Sequence, residues 1–267
     1  MWKHILDFEL RLGLKKTSII VYFFVFFGLA FLIVNILGGA FSNARIIIGN
    51  ANNNLNAPLV IAMMQNIFCI IGVLVAAAVF GNAGYRDFEF NTHPLFFTKP
   101  IKPTDYLVGR FSSAFVLTTL IQIGFTMGML FGFMMPYLDQ DAIGPFSLWA
   151  YVHPFLLLII PNIFMVGALL FSLAVLTRRM LPTYMASVVL LFGYLTSGNL
   201  TSDIETRWIA SLIDPFGMEG VSDAVRYWTP VEQNENFLPM TKWVLLNRLI
   251  WFGVGILFLG IGLWKFD

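Results

Sequence analysis

The sequence predicts an all-α integral membrane protein with six transmembrane helices. Of its 267 residues, 58% are hydrophobic and only 12% are charged, whereas a soluble domain has roughly 45–50% apolar and about 25% charged residues. So few charges cannot supply the polar surface of a water-soluble globule of this size, and most of the chain must lie in lipid. The charges also separate six apolar segments, each close to the roughly 20 residues that a helix needs to cross a hydrocarbon core about 30 Å thick.

The composition also argues against several functions. The net charge of +1 provides no basic stripe for nucleic acid. Cys69 is the single cysteine, so the sequence predicts no disulfide and no cysteine metal site. His4, His93 and His153 lie in different segments without an H-E-x-x-H spacing, and the sequence has no G-x-x-x-x-G-K-[ST] loop for ATP phosphates. We therefore expect no catalytic residue and no bound cofactor in this chain.

Residues 1–17 predict an amphipathic helix on the membrane surface before the first span. They contain too many charges to cross a bilayer, and Asp7 and Arg11 stand four residues apart, where they can form an ion pair. On a helix, the apolar residues of this segment form one stripe and the charged residues form another side. This pattern is typical of a helix that lies at the level of the lipid headgroups. The stripe consists of Trp2, Leu6, Leu10 and Leu14, and the charged side of Lys3, His4, Asp7, Arg11 and Lys15.

Residues 18–267 predict one transmembrane domain. The six expected spans are 18–38, 59–81, 111–135, 154–176, 181–200 and 244–264. An Asn-rich stretch at 49–58 predicts a polar loop after the first span. The long polar connection 201–243 contains Trp208, Trp228 and Trp243, and such rings favour short helices anchored at the membrane interface.

The distribution of basic residues predicts the orientation. With the N-terminus in the cytoplasm, eleven Lys and Arg residues fall in cytoplasmic segments and five in outer segments. Lys and Arg concentrate in the cytoplasmic loops of membrane proteins. Both ends of this sequence are therefore expected in the cytoplasm.

The predicted spans have no charge near their centres. Arg248 lies near the outer end of the sixth span, from which its long side chain can reach the interface. Ion-coupled carriers keep charged residues at bilayer depth, although each costs at least about 2.5 kcal/mol there. The sequence therefore disfavours a secondary carrier.

The connection 84–110, between the second and third spans, combines charges with a short apolar run. Three prolines within ten residues stiffen it, and the run 95–97 is flanked by charged residues. A segment of this kind suits docking into a cytoplasmic partner. A loop that only fixes topology through its positive charges is the alternative.

These residues resemble the exporter-type (type-2) ABC transporter permeases. In that family an elbow helix precedes six spans, and the loop after the second span carries an acidic residue, an apolar run, a proline and a Tyr-x-x-Gly-Lys/Arg ending. Gly109 and Arg110 match that ending, while Asn91 stands where the family has glycine. The resemblance implies a coupling helix that docks an ATP-binding subunit. It assigns this role to Asp87, Thr92, Pro94, Phe96, Phe97, Pro100, Lys102 and Tyr106.

A second pattern lies between the fifth and sixth spans, where Asp214-Pro215-Phe216-Gly217 is followed by Tyr227-Trp228-Thr229-Pro230. It is similar to permease segments that begin longer proteins of Bacteroidetes-type bacteria, which end in a zinc aminopeptidase domain. The resemblance implies an external gate; a structured loop without a gating role is the alternative. The expected gate residues are Asp214, Pro215, Phe216, Gly217 and Trp228.

Two features of the third and fourth spans predict packing. Gly124, Gly128 and Gly132 form a flat stripe that permits close helix contact, within the chain or with a partner. Pro161 and Asn162 predict a kink, which either lines a pathway or fits a neighbouring helix.

We therefore expect a permease subunit of an ATP-driven exporter in a bacterial inner membrane. Its partners would be an ATP-binding subunit, which holds ATP and magnesium, and a second permease half, identical or different. The alternative is a membrane scaffold or anchor for an external peptidase or an assembly. The apolar spans do not identify the substrate.

Overall fold

The computed structural model describes residues 1–40, 53–90, 102–197 and 207–266. Within these ranges every regular element is helical, which confirms the all-α class. Part of the expected coupling segment lies outside the described residues, namely Thr92, Pro94, Phe96, Phe97 and Pro100.

Eleven α-helices are present in the described part of the chain, counting 149–177 as one, in addition to the short 3₁₀ helix Gln140–Ala142. Three of them, α3, α5 and α10, begin at a proline. Proline lacks a backbone N–H, but an N–H at this position would have no partner within the helix. The helices are α1 Trp2–Leu14, α2 Thr17–Leu37, α3 Pro58–Ile71, α4 Val73–Glu89, α5 Pro103–Phe133, α6 Trp149–Thr177, α7 Leu181–Ser197, α8 Arg207–Ile213, α9 Met218–Val225, α10 Pro230–Glu235 and α11 Lys242–Trp264.

Among the described residues, four helices are long and apolar enough to cross a membrane by themselves: α2, α5, α6 and α11. The bent pair α3 and α4 is a fifth candidate. The apolar helix α7 has 17 residues. At 1.5 Å per residue it is about 25 Å long, shorter than a hydrocarbon core of about 30 Å. Length and composition therefore support four to five of the six expected spans.

The second expected span is not one continuous helix. Helices α3 and α4 meet at Gly72 with a bend of 49°. The side chain of Gln122 on α5 lies against this break and donates a hydrogen bond to the Phe68 carbonyl at 3.4 Å. A Cβ atom at Gly72 would lie 2.4 Å from Gln122 Nε2, so the glycine leaves room for the Gln122 side chain at this position. A polar side chain inserted at the backbone is an established cause of helix kinks.

The fourth expected span contains an irregular turn. In α6, residues Phe155–Ile159 form a π turn between Pro154 and Pro161. Pro161 has no N–H to bond the carbonyl four residues earlier, so the regular hydrogen-bond pattern is interrupted. Asn162 follows this turn near the middle of α6 and is buried.

The connection expected at 84–110 is shorter than the sequence predicts. Helix α4 continues to Glu89, and α5 begins at Pro103 rather than at 111. With 31 residues, α5 is about 46 Å long, roughly 16 Å more than a hydrocarbon core. If the end at Phe133 crosses the core, the first two to three turns project beyond it.

The predicted glycine stripe packs α5 against α2. A Cβ atom at Gly128 would lie 2.2 Å from the Phe27 carbonyl oxygen, and one at Gly124 would lie 2.8 Å from the Phe23 ring. At Gly132 it would lie 2.8 Å from the Val34 side chain. The described structure therefore uses this stripe for contact within the chain.

Substituting alanine for Gly128 is expected to lower the free energy of unfolding by about 1–3 kcal/mol, because the methyl group forces α2 and α5 apart. The loss is measured by unfolding the purified protein with increasing concentrations of a denaturing detergent. The matched control is Gly28→Ala on α2, where a Cβ atom would meet nothing within 4 Å. An equal loss in both variants would contradict the packing account.

The first helix packs along α5 through residues that recur every four positions and therefore lie on one side of α1. Ile5 lies beside Gly109, and Gly13 lies beside Leu117. Glu9, between them, is buried. Trp2 and Leu14 of the predicted apolar stripe are exposed, which suits contact with lipid.

Candidate functional site

Five side chains from three helices form a buried charged cluster, which consists of Glu9 on α1, Arg86 and Asp87 on α4, and Tyr106 and Arg110 on α5. Arg110 is its centre and is 1% exposed. Its Nη2 atom lies 2.8 Å from Asp87 Oδ1 and 3.2 Å from Glu9 Oε1, and Nη1 donates to the Ala83 carbonyl at 2.9 Å. Arg86 Nη2 also binds Glu9 Oε1, at 2.7 Å. The Tyr106 hydroxyl donates to Asp87 Oδ2.

Aromatic rings cover one side of the charged cluster. Phe266, which follows α11, stacks on Tyr106 with ring centroids 6.2 Å apart and meets Phe88 edge-on at 6.3 Å. The guanidinium of Arg178, after α6, lies 4.9 Å from the Phe88 ring centroid. Such cation–aromatic contacts contribute roughly 0.5–1 kcal/mol at exposed sites. The ends of α4, α5, α6 and α11 are therefore joined at this end of the bundle.

The structure brings together part of the expected coupling residues. Asp87 and Tyr106 belong to the charged cluster, whereas Lys102 is exposed at the N-cap of α5. In the sequence, Arg110 is the last residue of the loop pattern, and nothing in that pattern predicts that its side chain is buried. Glu9 and Arg86 were not identified as site residues.

A second polar group lies in the other half of the bundle. This amide cluster consists of Asn66 on α3, Asn162 on α6, and Asn247 and Arg248 on α11. Arg248 Nη1 donates to Asn162 Oδ1 at 2.7 Å, and Arg248 Nε donates to Asn247 Oδ1 at 3.0 Å. Asn162 Nδ2 donates to Asn66 Oδ1 at 2.9 Å. A hydrogen-bonded path therefore crosses three helices.

The position of Arg248 differs from the expectation. Its side chain is buried rather than extended to an interface, and no carboxylate of the described residues lies within 4 Å of it. Amide and backbone oxygens receive its N–H groups instead, since Arg248 Nη2 also donates to the Pro215 carbonyl at 3.5 Å. Burying a cation is costly without such partners. The sequence could not predict them, because Asn162 is 86 residues away.

The expected gate residues form a turn that rests on the amide cluster. Asp214 accepts hydrogen bonds from the backbone N–H groups of Phe216 and Glu219, both at 2.8 Å. Phe216 is fully buried, and its carbonyl accepts a bond from Asn162 Nδ2 at 3.2 Å. Gly217 has a φ of +76° and lies so close to Arg248 that a Cβ atom would be 2.1 Å from Nη2. Burial raises the pKa of Asp214, and the two backbone N–H groups act against this rise.

Asn247 ties the turn to α11. Its Nδ2 atom donates to the carbonyls of Ser211 and Asp214 at 2.7 and 2.8 Å. These carbonyls lie at the C-terminal end of α8 and just beyond it, where the helix cannot provide partners. The indole of Trp251 donates to Leu212 at 3.0 Å. The fifth expected gate residue, Trp228, is not part of this turn. It is half-buried, and its carbonyl accepts a hydrogen bond from the side chain of Gln233.

The loops at the end of the bundle beyond the amide cluster are bonded to one another. Asn56 and Gly144 exchange two hydrogen bonds, at 2.8 and 2.7 Å. Asn53 donates to Gln233 at 2.8 Å, and the N–H of Asn54 donates to Asn234 at the same distance. The Asn-rich loop therefore closes onto the helices of the long connection.

No family model and no curated protein matches the chain. The residues that the structure describes contain no group of three or more His, Cys, Asp or Glu side chains able to hold a metal ion. The interpretation of the two clusters therefore depends on their geometry and on the sequence pattern.

Proposed function

We propose that this chain is the permease subunit of an ATP-driven exporter and that segment 90–102 docks an ATP-binding subunit. The observation that carries this proposal is the position of Arg110. Its single guanidinium holds Asp87, near the end of α4, and Glu9 on α1, and it lies near the start of α5. The segment 90–102 joins those same two helices.

This arrangement supports a mechanical role for the charged cluster. A force on segment 90–102 acts on α4 and α5 together, because the two helices are bonded beside its ends. Through Glu9 the same force reaches α1. An ATPase that closes on ATP could in this way move several helices at once, without any bond chemistry in this chain.

The proposal includes six spans with both ends in the cytoplasm. It counts α3 with α4 as one broken span and α7 as the fifth, short span, and it follows the distribution of Lys and Arg. The charged cluster then lies at the cytoplasmic face, and the amide cluster lies in the outer half.

In this proposal the turn Asp214–Gly217 is a gate at the outer end of the path. Its support is the contact of Phe216 and Pro215 with Asn162 and Arg248, which are on two different candidate spans. A shift of α6 against α11 would break these hydrogen bonds and release the turn. A second permease half would complete the path.

The test uses the tagged chain purified from its native membranes. We expect a Walker-motif ATPase to co-purify and to hydrolyse ATP after reconstitution. Phe96→Asp combined with Phe97→Asp should abolish this association, because two charges replace the apolar run that docks. The matched control is Phe146→Asp, an aromatic residue that is 59% exposed in the connection between α5 and α6.

Retention of the ATPase by the Phe96/Phe97 variant at the level of the Phe146 control would refute the docking segment. A wild-type complex without any Walker-motif protein, but with a peptidase or an assembly factor, would favour the scaffold alternative. Uptake or export driven by an ion gradient alone would instead favour a secondary carrier.

A further inference from the structure

A cavity of about 230 Å³ lies beside the charged cluster. The residues that surround it come from α1, the α1–α2 junction, α2, α4, α5 and the start of α7. Polar side chains face it at the level where α2 begins, so the cavity lies near one boundary of the membrane-spanning region. Its polar lining includes Glu9, Lys16, Ser18, Tyr22, Asn82 and Arg86.

The lining has an excess of positive charge. Among the ionisable residues that line the cavity, Lys16 and Arg86 oppose the single carboxylate of Glu9. That carboxylate is already bonded to Arg86 at 2.7 Å and to Arg110 at 3.2 Å. Adding Arg110 and Asp87 gives three cations against two anions, so the excess of one positive charge remains.

Lys16 carries this excess. Its ammonium donates to the neutral side chain of Asn82 at 2.8 Å, and no carboxylate of the described residues lies within ion-pair distance. Lys16 directly precedes α2, and no side chain caps that helix. Burial lowers the pKa of Lys16, and the nearby Arg86 lowers it further. The negative charge of an anion in the cavity would oppose this lowering of the pKa by Coulombic attraction.

The surroundings fit an anion that carries acyl chains. Beyond the polar lining, on the same helix faces as Tyr22 and Tyr184, α2 exposes Val25 and Leu29, and α7 exposes Val188. The volume accommodates a phosphate and its attached glycerol, but not a whole lipid. We infer that this cavity binds the phosphate of an anionic membrane lipid, with Lys16 as its main cationic contact. Basic pockets between transmembrane helices bind lipid headgroups in this way. The inference depends on membrane insertion and not on an ATPase partner.

The experiment compares lipids added to the delipidated, detergent-purified chain. Phosphatidylglycerol should bind and raise the melting temperature, whereas phosphatidylcholine with the same acyl chains should bind at least tenfold more weakly. Lys16→Gln should weaken phosphatidylglycerol binding about fivefold, since one basic residue near an anionic lipid contributes on the order of 1 kcal/mol. The neighbouring Lys15→Gln, which is exposed and does not line the cavity, should change it less than twofold.

Ser18→Glu is a second variant that places a carboxylate in the same cavity. An acidic residue in the first turn of a helix is favourable for folding, so weaker binding here would not reflect unfolding. Equal binding of the two lipids, or equal effects of the Lys15 and Lys16 variants, would overturn the inference. Competition by millimolar inorganic phosphate as strong as that by soluble phosphatidylglycerol would assign the cavity to free phosphate and overturn it too.

Discussion

Replacing Arg110 with methionine is expected to lower the free energy of unfolding by about 3–5 kcal/mol, which is the usual cost of removing one partner from a buried ion pair. The substitution keeps the volume and apolar stem of the side chain but removes the guanidinium between α1, α4 and α5. Asp87 then keeps the Tyr106 hydroxyl, and Glu9 keeps Arg86. Neither carboxylate is fully compensated in its buried site. Detergent-titrated unfolding of the purified chain measures the loss.

Arg11→Met is the matched control for this prediction. Arg11 pairs with Asp7 at 2.9 Å, but the two side chains are 76% and 61% exposed. An exposed pair four residues apart on a helix contributes only about 0.3–0.5 kcal/mol. Adding Glu9→Gln to Arg110→Met should cost less than the sum of the two single variants, because they share one interaction. Similar losses in the free energy of unfolding for the Arg11 and Arg110 variants would show that the charged cluster does not stabilise the fold.

Gly217→Ala is expected to lower the free energy of unfolding by about 2–4 kcal/mol, as the sum of two effects. A left-handed backbone costs alanine about 1 kcal/mol more than glycine. The new methyl group would also meet Arg248, since its Cβ atom would lie 2.1 Å from Nη2 and 2.5 Å from Cζ. Overpacking of this kind costs typically 1–3 kcal/mol. Tryptophan fluorescence during unfolding by a denaturing detergent measures this loss in the free energy of unfolding.

Gly39→Ala separates the two effects. Gly39 has a φ of +78°, close to that of Gly217, but a Cβ atom there would meet nothing within 4 Å. It should therefore show only the backbone cost of about 1 kcal/mol. If both variants lose the same amount, the contact of the gate turn with Arg248 does not stabilise the fold.

The sequence predicted the features that depend on local composition. Apolar runs predicted where α2, α6 and α11 lie, and the spacing of Gly124 and Gly128 predicted a flat face on α5. The resemblance to the loop pattern of the type-2 permeases singled out Asp87 and Tyr106, which the structure places in the charged cluster. Each of these signals lies within one segment of the chain.

The features that the sequence did not predict depend on contacts between distant segments. The break at Gly72 follows from the approach of Gln122 on another helix, since residues 59–81 alone read as one apolar run. The sequence places Arg248 near the end of a span, and its burial depends on Asn162 of another helix. Glu9 has no signal of its own in the sequence, because only its contact with Arg110, 101 residues away, explains its burial.

The same limit applies to the extent of the helices. Charged and proline-rich residues at 84–110 predicted a loop, but α4 and α5 extend into this region because Asp87 and Arg110 satisfy each other. A buried ion pair therefore permits helix where the pattern of charges alone favours a polar connection. One signal was present in the sequence, since Glu9, Arg86, Asp87 and Arg110 provide two charges of each sign.

The most direct test of the proposed arrangement is the accessibility of single cysteines in spheroplasts. In a Cys69→Ala background, Tyr227→Cys places a thiol at a site between α9 and α10 that is 88% exposed, and Lys102→Cys places one at the exposed start of α5. We expect a membrane-impermeant maleimide to label Tyr227→Cys in intact spheroplasts and to label Lys102→Cys only after permeabilisation. Labelling of Lys102→Cys in intact spheroplasts would place segment 90–102 outside the cell and contradict its docking to an ATP-binding subunit.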